Sequence, residues 1–122
     1  MAKTILIVDD SASLRQVVKI ALMDAGYDVI EAGNGQEGLQ RLDGRKIHLI
    51  VSDVNMPIMD GITFLKNVKQ HPSYKFTPVI MLTTETSDDK KKAGQEAGAK
   101  AWVVKPFQPP ILLAAISKLI LP

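Results

Sequence analysis

A chain of 122 residues and 13.3 kDa has room for one domain, expected to run over 1–122, and can bury about two-thirds of its unfolded surface. Its 46% hydrophobic and 23% charged residues exclude a disordered chain, and the absence of cysteine excludes a disulfide scaffold, a thiolate metal site and a cysteine nucleophile. A net charge of +2 is too small to argue for nucleic acid or a membrane surface, and Met1 to Thr4 opens neither a signal peptide nor a membrane span, so a cytoplasmic location is expected.

Short apolar runs alternate with helix-period segments. Thr4 to Val8, rich in β-branched residues and stopped by Asp9-Asp10, reads as a strand buried on both faces. Leu14, Val17, Val18, Ala21, Leu22 and Ala25 then form one helical stripe, with Ser13 and Gln16 as a capping-box start and Gly26 as the stop. Asp28 to Ala32 is a second strand. Gly35 to Leu42 is a short helix weakened by Gly35 and Gly38. The third strand, Leu49 to Ser52, ends at Asp53. The loop Val54-Asn55-Met56-Pro57 leads past Asp60-Gly61 into a helix carrying Ile62, Leu65 and Val68, closed by His71-Pro72. Val79 to Leu82 is a fourth strand, followed by Thr83-Thr84-Glu85. Asp88 is placed to cap a helix running to Ala97, and Ala101 to Val104 is a fifth strand ending at Lys105-Pro106. Pro109 and Pro110 suit the first turn of a last helix carrying Ile111, Leu112, Ala115, Ile116 and Leu119, with no linker to an output domain expected.

Alternating strands and helices imply an α/β fold, a doubly wound parallel sheet with right-handed crossovers. Polar residues close four of its strands: Asp9 and Asp10, Asp53, Thr83, and Lys105. Ligands of open α/β sheets bind outside the carboxyl ends of strands, where the strand order reverses. With the order 2-1-3-4-5 all five residues converge on one crevice. Three carboxylates and one ammonium leave a charge of about −2 there, and like charges this close resist ionisation. A divalent cation removes the conflict. An all-oxygen donor set suits magnesium, and no histidine lies near to favour zinc. A carboxylate beside magnesium and a lysine is arranged to become an acyl phosphate.

The segments Ile5-Leu6-Ile7-Val8-Asp9-Asp10-Ser11, Ser52-Asp53-Val54-Asn55-Met56-Pro57-Ile58-Met59-Asp60-Gly61, Met81-Leu82-Thr83-Thr84 and Val104-Lys105-Pro106-Phe107 resemble the receiver domain of two-component response regulators. The resemblance covers the whole chain and is nearest to the stand-alone, CheY-like chemotaxis members. It implies the flavodoxin-like strand order 2-1-3-4-5 with five helices. Residue by residue, it implies Asp53 as phosphoacceptor, Asp10 as a direct magnesium ligand and Asp9 as a partner acid working mostly through metal-bound water. It further implies a metal-facing backbone carbonyl on Asn55, a phosphoryl contact for Lys105, a moving phosphoryl contact for Thr83 and a cis peptide bond before Pro106. Trp102 stands at the switch-aromatic position, where tyrosine or phenylalanine is usual. Asn55 and Glu85 fall at two variable positions that influence dephosphorylation. The implied partners are a sensor histidine kinase of the CheA type, a target such as a flagellar motor switch protein, and a phosphatase. The implied protein is a monomer that assists its own phosphorylation and hydrolysis and is otherwise no enzyme. A phosphorelay intermediate or a phosphate sink would use the same site.

Plainer readings exist for each residue taken singly. Asp9-Asp10 could cap the following helix, Asp53 could be a turn residue, Thr83 a strand-end hydroxyl and Trp102 a half-exposed sheet aromatic. Lys90-Lys91-Lys92 reads as a solvated helix face, His48 and His71 as surface or strand-edge residues, and Met56 and Met59 as gap fillers. Two rival functions are an aspartate-nucleophile phosphatase and a flavin mononucleotide carrier. The first would want a second acid where Asn55 stands, together with a cap domain. The second would want backbone donors where Asp9-Asp10-Ser11 is acidic.

Overall fold

A computed structural model of the chain describes residues 2–83, 88–105 and 108–120, with residues 83 and 88–91 described as backbone. The elements run β1 (Thr4–Val8), α1 (Ala12–Asp24), β2 (Asp28–Ala32), α2 (Gly35–Gln40), β3 (Leu49–Ser52), α3 (Gly61–Gln70), β4 (Val79–Thr83), α4 (Asp88–Glu96), β5 (Ala101–Val104) and α5 (Pro109–Leu119). The five strands form one parallel sheet in the order β2-β1-β3-β4-β5, as the resemblance implies.

The apolar strands have no polar face because both sides of the sheet are covered. Leu6, Val8, Ile50, Val79 and Met81 point to one side and pack with Phe64, Leu65 and Val68 of α3. Ile5, Ile7, Leu49, Val51, Ile80 and Leu82 point to the other and pack with Val18 and Leu22 of α1 and Leu112 and Ile116 of α5. The strand period of two therefore feeds two cores at once. The registers Val8↔Ala32, Val8↔Ser52, Ser52↔Met81 and Thr83↔Val104 bring the carboxyl ends together along one edge.

Three local expectations change. The cap of α1 is Ser11, not Ser13: its side chain accepts from the Leu14 backbone N–H, and Arg15 N–H donates to the Ser11 carbonyl as the first helical bond. Ser13 thus lies inside the first turn. Val17 is 51% exposed and leaves the α1 stripe, whose buried residues are Val18 and Leu22. One residue is a 100° step on a helix, enough to turn Val17 off the packed line. The second helix ends at Gln40, two residues early, and a tighter bond from Leu42 N–H to the Leu39 carbonyl closes it.

Glycines that weaken helices by propensity serve packing here. A Cβ on Gly94 of α4 would lie 2.7 Å from Cζ3 of Trp102 on β5, so the missing side chain makes room for the indole. Trp102 is half-buried and packs with Ala93, Ala97 and Ala99 against the α3 side of the core. This is the position of a sheet aromatic that fills the gap left by small residues on a neighbouring helix.

At the opposite edge of the sheet, where the strands begin, His48 Nδ1 accepts from the Thr4 backbone N–H at 2.9 Å, and His48 N–H donates to the Thr4 carbonyl at 2.8 Å. Burial, then the nearby Lys3 and Lys46, holds the His48 imidazole below its ordinary value. The unfolded chain therefore binds a proton more readily than the folded one. Stability from this group is complete above the unfolded pKa of about 6.5 and falls as pH drops from there towards the folded value. Across about pH 7 down to pH 5, the urea midpoint of wild type is expected to fall relative to that of His48→Gln. Parallel curves would show that His48 does not titrate on unfolding.

Candidate functional site

The site begins with two strands continued by one residue. Asp9 N–H donates to the Ala32 carbonyl at 3.1 Å and Asp53 N–H to the Val8 carbonyl at 2.8 Å, so both acids emerge from adjacent strand ends. Both are nearly buried, Asp9 at 3% and Asp53 at 7% exposure, while Asp10 is exposed. Carboxylate oxygens of Asp9, Asp10 and Asp53 lie within 4.8 Å of one another. Lys105, one residue past β5, sends Nζ to 3.0 Å from Asp9 Oδ2 and 3.6 Å from Asp53 Oδ2. Asp9 Oδ1 accepts from the Ser11 backbone N–H at 2.9 Å, so both its oxygens have a donor. Asp53 Oδ1 accepts from its neighbour Val54 N–H at 2.8 Å.

The connection from Asp53 to α3 is closely constrained. A Cβ on Gly61 would overlap the Asp53 carbonyl oxygen, and Gly61 N–H donates to the Val54 carbonyl at 2.7 Å. Asp60 caps α3 through the Thr63 N–H at 2.8 Å. Between them, Met59 N–H donates to the Pro57 carbonyl at 2.7 Å and closes a turn of three residues centred on Ile58, whose φ is +69°. A positive-φ γ-turn on a β-branched residue is strained, and such strain persists where the surroundings over-determine the backbone. Here Met59 packs where a Cβ on Gly35 would sit, and Gly61 leaves no slack behind Asp53. Gly61→Ala is expected to cost about 3 kcal/mol or more in urea unfolding, because the added carbon meets backbone and not a movable side chain. A loss under about 1 kcal/mol would show that the loop can relax.

Electrostatics set the character of the crevice. Burial first, then the neighbouring Asp9 charge, pushes the Asp53 carboxyl above its ordinary value, while Lys105 and the Val54 N–H pull against the rise. The unmet demand is for positive charge near oxygen donors. The clustered donors are hard carboxylate oxygens, and both histidines lie elsewhere: His48 at the start of β3, His71 at the end of α3, accepting from Ser73 N–H. This donor set fits a small hard cation of the magnesium type.

The remaining expected residues divide. Asn55 sits exposed in the loop two residues beyond Asp53. Thr83 ends β4 in register with Val104, one residue before Lys105; its side chain lies outside the described residues. Thr84, Glu85, Pro106 with its expected cis bond, and Phe107 also lie outside them. One residue went unnoticed in the sequence. Arg15 of α1 donates from Nη1 to the Asp9 carbonyl at 2.5 Å, with Nε 3.3 Å from Glu31 Oε1 on β2. A basic residue one helical turn past the capping serine was the available signal.

The response regulator receiver domain family matches residues 5–117. The chain belongs to that family. The solved chemotaxis protein CheY4 of Vibrio cholerae is 47% identical, with a TM-score of 0.93 over 98% of this chain and 100% of that one. Chemotaxis protein CheY of Bacillus subtilis is 39% identical over 119 residues, 97% of this chain and 98% of the relative. The phosphate regulon transcriptional regulatory protein PhoB of Pseudomonas aeruginosa is 39% identical over 116 residues, 95% of this chain. The chain spans 51% of that relative's length and nearly all of the two chemotaxis proteins. Among the described residues no helix is long and apolar enough to cross a membrane.

Proposed function

We propose that this receiver domain is a cytoplasmic phosphorylatable switch in which Asp53 accepts a phosphoryl group from a histidine kinase. The observation that carries the reading is the meeting of one ammonium and three carboxylates from three strand ends around the nearly buried Asp53. An Asp53 oxygen forms the new P–O bond as the donor's P–N bond breaks, and the departing imidazole keeps the bonding pair and takes up a proton. Lys105, already 3.6 Å from Asp53 Oδ2, turns its ammonium to a phosphoryl oxygen. Asp10, Asp53 and the Asn55 carbonyl, with Asp9 acting through water, would hold magnesium, which would supply neutralising charge to the phosphoryl oxygens. Thr83 bonds another of those oxygens, and Trp102 follows it by leaving its place against Gly94. The protein assists its own phosphorylation and hydrolysis and acts on no separate substrate.

Similarity to chemotaxis proteins along almost their full length supports a chemotaxis role, with a flagellar motor switch protein as the target. Intact-mass spectrometry after acetyl phosphate and magnesium tests the chemistry, with one added phosphoryl group expected and lost again in base. Absence of that adduct, or visible flavin absorption in the purified protein, would overturn the reading.

A further inference from the structure

We propose that Arg15 is a positioning residue that sets the Asp9–Asp10 turn for cation binding; this rests on the magnesium reading above. The guanidinium spans two strand ends. Nη1 donates to the Asp9 carbonyl at 2.5 Å, and Nε lies 3.3 Å from Glu31 Oε1. Glu31 is held in turn by Lys19, whose Nζ is 3.5 Å from Oε2. The Asp9 carbonyl belongs to the peptide plane that carries Asp10, so fixing that oxygen fixes the direction in which the Asp10 backbone leaves β1. Asp10 is the acid of the cluster that most needs this help. Asp9 is buried with donors on both oxygens, and Asp53 is buried with the Val54 N–H on one, whereas Asp10 is exposed. A carboxylate with no burial to orient it takes its direction from the backbone that carries it. Rigid orientation matters for magnesium, which demands near-ideal octahedral geometry. Groups behind a ligand that hold it in place typically cost tenfold or more in metal affinity when removed.

Charge and position make opposite predictions, which gives the test its power. A cation beside three carboxylates competes with a bound metal. Loss of the Arg15 charge alone would therefore tighten magnesium binding. Loss of the strut weakens it. Calorimetric titration of magnesium into metal-free wild type, Arg15→Met and Glu31→Gln decides between them, with metal-free melting curves recorded alongside. The expected result is a Kd about tenfold higher for Arg15→Met and a smaller rise in the same direction for Glu31→Gln, which leaves the guanidinium without its second anchor. A role confined to tying β1 to β2 would lower the melting temperature and leave the Kd of the folded variant unchanged. A Kd for Arg15→Met that is unchanged or lower overturns the proposal and leaves the magnesium reading standing. Wild type that takes up no magnesium overturns both. Should Arg15→Met fail to fold, Arg15→Lys decides, because it keeps the charge and loses the fork that reaches both the Asp9 carbonyl and Glu31, and an unchanged Kd there overturns the proposal.

Discussion

Asp53→Asn is expected to abolish phosphoryl incorporation from acetyl phosphate and magnesium, as read by intact mass. The amide is nearly isosteric but offers no carboxylate oxygen to form an acyl phosphate. The site should otherwise survive, because the Val54 N–H can still donate to the amide oxygen as it does to Asp53 Oδ1. The same variant should be more stable than wild type without metal. Burial and the Asp9 charge raise the folded pKa of Asp53, so the folded chain binds this proton more tightly than the unfolded chain. The stabilising contribution is complete below the unfolded pKa and is lost as pH rises through the folded one. At neutral pH the ionised group is a net burden, and the amide removes it. A gain of about 1 kcal/mol would appear as a rise of about 4 °C in Tm. A phosphorylated Asp53→Asn would place the nucleophile elsewhere, and a lower metal-free Tm would mean that the charge is better accommodated than its burial implies.

The strands were the most legible part of the chain, because the inner strands of a parallel sheet are buried on both faces and appear as nearly unbroken apolar runs. The edge strand β2 keeps Asp28 and Glu31 and was placed by its apolar pair Val29-Ile30 and by Gly26 and Gly33 on either side. Thr4–Val8, Asp28–Ala32, Leu49–Ser52 and Ala101–Val104 have the expected bounds. The helix starts were less legible. Ser11 and Ser13 are equivalent as types, and only the bond from Leu14 N–H to Ser11 Oγ separates them. The acidic strand ends and Lys105 could be found because several strands stop at charged residues on the same edge of the sheet, a coincidence that the cap and turn readings of the single residues do not explain. Arg15 could not be found in this way: its role depends on a contact to a backbone carbonyl, and a carbonyl carries no sequence signal. The role of Gly94 carries no sequence signal either, because the indole it admits comes from β5 and not from its own helix.

Magnesium at millimolar concentration is expected to raise the melting temperature, and Asp10→Ala to remove most of that rise. A ligand that binds only the folded state stabilises it by RT ln(1 + [L]/Kd), about 2.7 kcal/mol at a hundredfold excess over Kd. For a domain of this size that is roughly 10 °C in Tm. Binding by folded protein alone is expected because Asp9, Asp10 and Asp53 converge only through the β1–β3 pairing that sets Val8 beside Ser52. Ionic strength must be separated from binding, since any salt screens the repulsion among three carboxylates. Screening acts mainly on exposed charges farther apart than the Debye length, about 8 Å at physiological salt, whereas these carboxylate oxygens lie within 4.8 Å of one another and Asp9 and Asp53 are buried. Potassium chloride at matched ionic strength should therefore reproduce only a small part of the shift. Asp10→Ala separates the two effects again. Removing one of three like charges relieves repulsion, so its metal-free Tm should not fall below that of wild type. Its response to magnesium should nevertheless collapse, because the exposed carboxylate that reaches the cation is gone. A variant that keeps the full magnesium shift would exclude Asp10 from the metal site, and a wild type that responds equally to potassium would reduce the acidic crevice to a screened cluster with no bound ion.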